Sequence, residues 1–475
     1  MDYKKKYLKY KQKYIQLLYE TITLHKIKFN KGDDKIQTKP LIFKNNGVWS
    51  DLPNELYVIG DIHGDFFALK QSLELTECVK FDPYTDKIKY NQDRKIYYLE
   101  DGCHFYSLDK KNIKWNPDKK NTTIVFAGDL IDRCRPHAKV NPECVNTVND
   151  ENCDYQILKL LFDLNKEANQ YNSKIIIILG NHELLNLDND LRYVSIKGRN
   201  DESRLNNLKT LIKDNIDNIY GLVRISNYVI VHGGVNDIFF KKVNELFNDK
   251  LISMESIQIY NEYIRNFILH NISSELEDYK YTKLSPFWDR TIGGFETLNT
   301  GQCTHIFKDN LLKIKDSLSI SNLKIIVAHC PQFTVRKPID IVDCEEFKQR
   351  IFRIDIGMSR TFDFYKSYEE LNEILDQPKL RNYRAFYNYG LNDEVTRKAS
   401  LLKINSEKEE IITGELSIDY FYKTAFSDDK DRYLYLLSDL KKIVQDNISH
   451  NHLKMLTLGS IIEKIDRIIE KINIK

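Results

Sequence analysis

Acidic, imidazole and amide side chains stand at the ends of apolar runs along this chain. Asp61 and His63 belong to Gly60-Asp61-Ile62-His63-Gly64-Asp65, and Asp129 to Gly128-Asp129-Leu130-Ile131-Asp132-Arg133. Asn181 and His182 lie in Gly180-Asn181-His182-Glu183, His232 in His232-Gly233-Gly234, and His329 in Ala328-His329-Cys330-Pro331-Gln332. A carboxylate with an imidazole is ordinary ligation for Mn, Fe or Zn. In a turn that leaves a strand, residues i and i+2 can aim at one point, and flanking glycines tolerate the backbone angles this demands. Cations gathered there acidify water into a nucleophile at neutral pH. Each motif alone has a plainer reading: Asp61 or Asn181 as a helix cap, His232 or His329 as a buried, hydrogen-bonded imidazole. Five in one order, each straight after an apolar run, point instead to a shared metal site.

The runs that must position these residues are short and β-rich: Leu56–Ile59, Thr123–Phe126, Lys174–Leu179, Tyr228–Val231, Lys324–Val327 and Phe352–Ile356. Helical patterns, among them Asp154–Gln170 and Glu202–Asp214, separate most of them. The alternation predicts an α/β sandwich with buried central strands, whose carboxyl ends converge on a crevice. Residues 51–415 form the expected catalytic domain, with insertions at 78–120, read as an added hairpin, and at 237–284, read as helical. Residues 1–50 are a leader containing an amphipathic helix with Tyr7, Tyr10, Tyr14, Leu17 and Leu18 at helical spacing. Residues 416–475 are a C-terminal helical extension.

Composition bounds the partners. With 42% hydrophobic and 12% aromatic residues the chain can bury a large core. Lys+Arg 71 against Asp+Glu 69 leaves +2, so no nucleic acid is expected. The longest aliphatic run, Ile175–Leu179, is far below the roughly 20 residues of a membrane span. Eight scattered cysteines and the lack of an apolar leader run predict a reducing, intracellular, cytoplasmic setting. Cys134, His137, Cys144 and Cys153 match no common zinc spacing, so unpaired thiols are expected there, with Cys134 open to oxidation. The opening Lys6-Tyr7-Leu8-Lys9-Tyr10-Lys11 resembles the Lys/Tyr-rich leaders of giant amoebal DNA virus proteins, which implies host cytoplasm or virion.

From about residue 56 to 360 the motif order resembles the calcineurin-like metallophosphoesterases. Asp132-Arg133 and the Gly-Asn-His-Glu motif resemble phosphoprotein phosphatases, and within them His232-Gly233-Gly234, Ser285-Pro286-Phe287-Trp288-Asp289-Arg290, Pro331-Gln332 and Ile354-Asp355-Ile356-Gly357-Met358-Ser359 are similar to the bacterial-type Shewanella-like phosphatases. The resemblance implies the metallophosphoesterase fold, a four-layer α/β/β/α sandwich of two mixed sheets with helical additions. It implies two divalent or trivalent metal ions, Mn, Fe or Zn: one on Asp61, His63 and Asp129, the second on Asp129, Asn181, His232 and His329. Arg133 and Arg290, with Asn181, would hold the substrate phosphate, and His182, oriented by Asp132, would protonate the leaving group. The implied reaction is phosphomonoester hydrolysis by a metal-bridging hydroxide, on phosphoserine, phosphothreonine or phosphotyrosine proteins or a small phosphoester. Alternatives are a dinucleoside tetraphosphate hydrolase and a non-catalytic scaffold; a nuclease is disfavoured by Pro331, where nucleases carry a second histidine. Cys134 departs from the family's glycine after Asp-Arg.

Overall fold

A computed structural model of the chain describes residues 46–82, 88–91, 96–99, 103, 107–109, 111–136, 142–144, 147, 152–247, 256–270, 285–293, 305–318, 320, 322–331, 340–344, 349–359 and 399–414. The helix expected in the leader and the 416–475 extension lie outside these residues.

Runs of β-branched residues build two six-stranded sheets among the described residues. In spatial order the first is β16 (Glu409–Thr413), β15 (Ser400–Ile404), β2 (Glu55–Ile59), β7 (Thr122–Phe126), β8 (Lys174–Ile178) and β9 (Ile219–Tyr220). Its β2, β7, β8 and β9 are parallel, while β15 pairs antiparallel to β2 and β16 to β15. Ile175 to Ile178 are all buried, as a central strand covered on both faces requires. The second sheet is β1 (Val48–Trp49), β10 (Leu222–Ile225), β11 (Tyr228–Val231), β12 (Lys324–Val327), β14 (Gln349–Arg353) and β13 (Asp340–Cys344). Within it β11, β12 and β14 are parallel, and β10 and β13 flank them antiparallel. Two small antiparallel pairs lie within 78–120: β3 (Val79–Phe81) with β6 (Ile113–Trp115), and β4 (Ile88–Asn91) with β5 (Ile96–Leu99).

The helices are α1 (Phe66–Leu75), α2 (Asp154–Asn169), α3 (Asn181–Leu187), α4 (Ile196–Arg199), α5 (Arg204–Asp214), α6 (Asp237–Phe247), α7 (Ser256–His270) and α8 (His305–Leu318). Of these α2 lies on β8 and α7 on β10, and one apolar cluster joins both sheets, giving the α/β/β/α sandwich. Residues after β2, β7 and β8 in one sheet, and after β11, β12 and β14 in the other, are those that carry the motifs. Three carboxyl ends from each sheet therefore serve one crevice.

Two expectations need correction. The strand expected at Phe352–Ile356 is Gln349–Arg353, because the chain leaves the sheet after Arg353 and turns, with Gly357 at φ 62° donating its N–H to Asp355 Oδ1 at 2.9 Å. Nor are Cys134, Cys144 and Cys153 unpaired thiols. Cys134 pairs with Cys144 and Cys103 with Cys153, with Cα atoms 5.7 and 6.0 Å apart, inside the bridging range. Cysteine usage thus no longer argues for a reducing setting, and Cys134 is not the accessible thiol expected.

Glu409 ties the two sheets together from the side. Its Oε1 accepts the Tyr228 hydroxyl at 2.6 Å and the Lys324 ammonium, and its Oε2 accepts Arg350 Nη1 at 2.6 Å. Burial alone would raise this carboxyl; Lys324, Tyr228 and Arg350 outweigh it and hold it below the usual range. A depressed carboxyl adds stability above its unfolded pKa of about 4.3 and loses it as pH falls through the lower folded value. Glu409→Gln is expected to cost about 1 kcal/mol at neutral pH after solvent screening. Urea unfolding checks this, and the gap between variant and wild type closes below about pH 4.

Candidate functional site

The loop after β2 hangs from the loop after β7. Ile62 and His63 donate their N–H groups to Asp129 O at 3.0 and 2.8 Å, and Gly64 donates to Leu130 O at 2.8 Å. The loop after β8 is joined to the same turn by Glu183. Its Oε2 accepts from Gly180 N at 2.7 Å and Asp129 N at 3.1 Å, and its Oε1 from Leu130 N at 2.8 Å and Ile131 N at 3.3 Å. Such closeness requires bare backbones: a Cβ on Gly128 (φ +96°) would stand 2.7 Å from both Gly180 N and His232 Nδ1. The strain is not confined to glycine, because His63, Asp129, Asp132 and His329 all hold positive φ between 47° and 70°. Left-handed backbone at non-glycine residues costs about 1–3 kcal/mol each and gathers where function demands it.

These loops bring the expected ligands around Asp129. Its Oδ2 lies 3.3 Å from His232 Nε2, 3.7 Å from His182 Nε2 and 3.9 Å from His63 Nε2, and Asp61 Oδ2 is 3.5 Å from His63 Nε2. The His232 and His329 rings are 4.9 Å apart, and the His329 N–H reaches Asp61 Oδ1 at 3.4 Å. Two ligand-competent triads share Asp129: His63, Asp129 and His182, and Asp129, His232 and His329. All six expected metal-binding side chains are buried around one point. His182, expected as an acid rather than a ligand, sits within the first triad.

The donor set fits cations on three counts. His232 Nδ1 donates to Ala127 O at 2.8 Å, which leaves the Nε2 lone pair facing Asn181 Oδ1 at 3.0 Å and the Asp129 carboxylate. A backbone carbonyl behind an imidazole is the usual partner of a metal-ligating histidine. Facing lone pairs need a proton or a cation between them. Burial would lower the His232 pKa, yet the Asp129 carboxylate outweighs it and raises it above the ordinary imidazole value. Buried Asp61 Oδ2 and Asp355 Oδ2 meet no hydrogen-bond donor among the described residues. Burial, then the charges of Asp355 and Asp129, push the Asp61 carboxyl well above its ordinary range, and burial takes Asp355 up to about 6. A cation would remove each of these costs.

The arginines are placed less simply. Arg133, expected on phosphate, is buried with Nη1 3.1 Å from Asp65 Oδ2 and 3.0 Å from Ser359 Oγ. Asp65 Oδ1 meanwhile caps α1 by accepting from Phe67 N and Ala68 N. Arg290 is exposed and donates Nε–H to His329 Nε2 at 3.1 Å. Arg135, absent from the expected set, places Nη2 3.0 Å from His63 Nδ1, also touches Nε2, and lies over the Tyr193 ring. Tyr193 in turn packs on the His182 ring at 4.6 Å, and its carbonyl accepts from Cys134 N. The signal for Arg135 was its place two residues after Arg133; for Tyr193 there was none.

His182 Nδ1 is 3.0 Å from Asp132 Oδ2, as expected for an oriented imidazole. Glu183 matters more than its place in the motif suggests, since four backbone donors depend on it. Burial, then Asp129, raises its carboxyl to about 7. Glu183→Ala would leave those donors buried without partners, and a loss of at least about 3 kcal/mol in urea unfolding is expected.

Among the described residues no helix is long and apolar enough to cross a membrane. Residues 55–270 match the family model described as calcineurin-like phosphoesterase. The chain is 26% identical over 253 residues to an uncharacterized protein of Acanthamoeba polyphaga mimivirus, covering 47% of this chain and 97% of that one. It is 26% identical over 279 residues to Shewanella-like protein phosphatase 1 of Plasmodium berghei, covering 51% of this chain and 63% of that protein. A cold-active protein-tyrosine phosphatase of a psychrophilic Shewanella is a solved structure similar at TM-score 0.40 and 14% identity, over 77% of this chain and 82% of that one. The matched stretch takes in the strand ends that carry Asp61, Asp129, Asn181 and His232, so the similarity to calcineurin-like phosphoesterases covers four of the site's loops.

Proposed function

We propose that the chain is a metal-dependent phosphomonoesterase acting on phosphorylated serine, threonine or tyrosine side chains of proteins. The observation that carries this reading is Asp129, buried at the centre of His63, His182 and His232 with its carboxylate facing all three imidazoles. Asp61, His63 and Asp129 would hold one cation, and Asp129, Asn181, His232 and His329 the other. The chemistry such ions supply is a water acidic enough to attack phosphorus at neutral pH. The relatives named as Shewanella-like protein phosphatases support a protein substrate over a nucleotide.

The chain's own groups would do the rest. Asp132 holds His182 Nδ1, so Nε2 faces the site and can give its proton to the departing ester oxygen. The bond from that oxygen to phosphorus breaks with its electron pair on oxygen, and a water oxygen takes its place on phosphorus. Guanidinium forks match phosphate oxygens. Arg133, braced by Asp65 and Ser359, and exposed Arg290 beside His329 would orient the phosphate and offset its charge.

The metal-stripped protein is expected to hydrolyse p-nitrophenyl phosphate only after Mn²⁺ is added back. Asp129→Asn should abolish both turnover and metal uptake, and His182→Ala should lower kcat on a phosphoserine peptide by about 10²–10⁴-fold. Turnover confined to a dinucleoside tetraphosphate would transfer the reading to nucleotides. Bound metal without turnover on any of these esters would overturn it.

A further inference from the structure

Behind His182 lies a connected set of buried polar side chains that the proposed chemistry has not used. Asp154, the first residue of α2, accepts Arg204 Nε–H at 3.1 Å and also Nη2–H on Oδ2, while its Oδ1 accepts from Asp132 N at 3.2 Å. Arg204, the first residue of α5, donates from Nη2 to Asp132 Oδ1 at 3.2 Å and from Nη1 to Asn186 Oδ1 at 2.7 Å. Asn186 Nδ2 shares one N–H between the two Asp132 oxygens, at 3.0 and 2.9 Å, and gives the other to the His182 carbonyl at 3.0 Å. Asp132, Arg204, Asp154, Asn186 and His182 are between 0% and 5% exposed.

A carboxylate offers about four lone-pair positions. On Asp132 they meet Arg204 and Asn186 at Oδ1, and Asn186 and His182 Nδ1 at Oδ2. Turning this carboxylate away from His182 would break the bonds to Arg204 and Asn186 as well. The charges alternate from Asp154 to Arg204 to Asp132, so the buried run is compensated at each step. An arginine held this way between two carboxylates contributes geometry more surely than stability.

We propose that Arg204, backed by Asp154 and Asn186, is a positioning residue for the hydrolytic step: it locks Asp132 so that His182 keeps its Nδ1 proton and presents Nε2 to the leaving oxygen. The inference rests on the phosphomonoesterase reading. In the step it serves, the bond between phosphorus and the ester oxygen breaks with its electron pair on oxygen, and the Nε2 proton moves to that oxygen. The water oxygen forms the new bond to phosphorus. The need for Arg204 therefore grows with the leaving group's need for a proton.

The test uses the full chain loaded with Mn²⁺, as wild type, Arg204→Met and Arg204→Lys, with kcat and KM measured on p-nitrophenyl phosphate and phenyl phosphate. Nitrophenolate departs readily without a proton, and phenolate does not. Arg204→Met is expected to lower kcat on phenyl phosphate at least about tenfold more than on p-nitrophenyl phosphate, a part of the range available to a general acid. KM and bound metal stay unchanged, and Arg204→Lys restores part of the loss. Equal losses on both esters, or no loss, would overturn the assignment. If the wild type hydrolyses neither these esters nor the phosphoserine peptide, the phosphomonoesterase reading fails, and nitrogen-15 NMR of His182 in metal-free protein decides the clamp by itself. An Nδ1–H tautomer that becomes mixed in Arg204→Met supports it, and an unchanged tautomer sinks it. Should Arg204→Met not fold, Arg204→Lys carries both measurements, with a smaller shift in the same direction expected and no shift counting against the clamp.

Discussion

A carboxylate that accepts four backbone N–H groups is a joint, and Glu183 is one: it draws on Gly180, Asp129, Leu130 and Ile131 from the loops after β8 and β7. Because the loop after β2 hangs from Asp129 O and Leu130 O, the joint extends to Asp61 and His63 as well. Three strand ends of one sheet thereby become a single rigid rim. The other sheet meets that rim through His232, whose Nδ1–H bonds to Ala127 O just ahead of Gly128. Nothing in this arrangement survives a side chain at Gly128, where both the neighbouring loop and the imidazole already occupy the space.

Rigidity has a purpose here, because the same rim crowds charges that repel. Asp61, Asp129, Glu183 and Asp355 are all buried, and desolvation pushes each carboxyl up. Asp129 escapes: burial would raise it, but His182 and His232 hold its carboxyl well below the ordinary range. The site therefore sets one carboxylate that its imidazoles hold low beside others that burial pushes up. Positive charge also reaches two of the imidazoles, from Arg135 at His63 and from Arg290 at His329.

Much of this was legible because metal chemistry restricts residue types and because strand ends deliver ligands from residues adjacent in sequence. Asp61, His63, Asp129, Asn181, His232 and His329 could be read for that reason, as could the central strands Ile175–Ile178 and Tyr228–Val231, whose burial demands continuous β-branched runs. What escaped depends on distant pairing. The β15–β16 hairpin joins the sheet by pairing with β2 from the far end of the described chain, and no local pattern specifies that register. Cysteine spacing does not encode connectivity, so Cys103–Cys153 and Cys134–Cys144 read as loose thiols. The bonds that brace Arg133, to Asp65 and Ser359, come from residues far away in the chain, so the motif alone does not show them.

The backbone angles complete the argument. The glycines beside the motifs absorb part of the sharp turns, Gly64 and Gly128 among them, yet positive φ also falls on His63, Asp129, Asp132 and His329 themselves. Strain at the functional residue fixes the direction of its side chain more tightly than strain at a neighbour could, since the Cα–Cβ bond leaves the strained centre directly. A relaxed backbone at Asp129 would turn its carboxylate away from the three imidazoles, and at Asp132 away from His182 Nδ1. The bonds that oppose relaxation are the ones already described: Glu183 on the turn at Asp129, and Arg204, Asn186 and Asp154 around Asp132. Asp129 and Asp132 are thus each held by buried charge from an element outside their own loop, so the geometry there is a property of the whole sandwich rather than of any one motif.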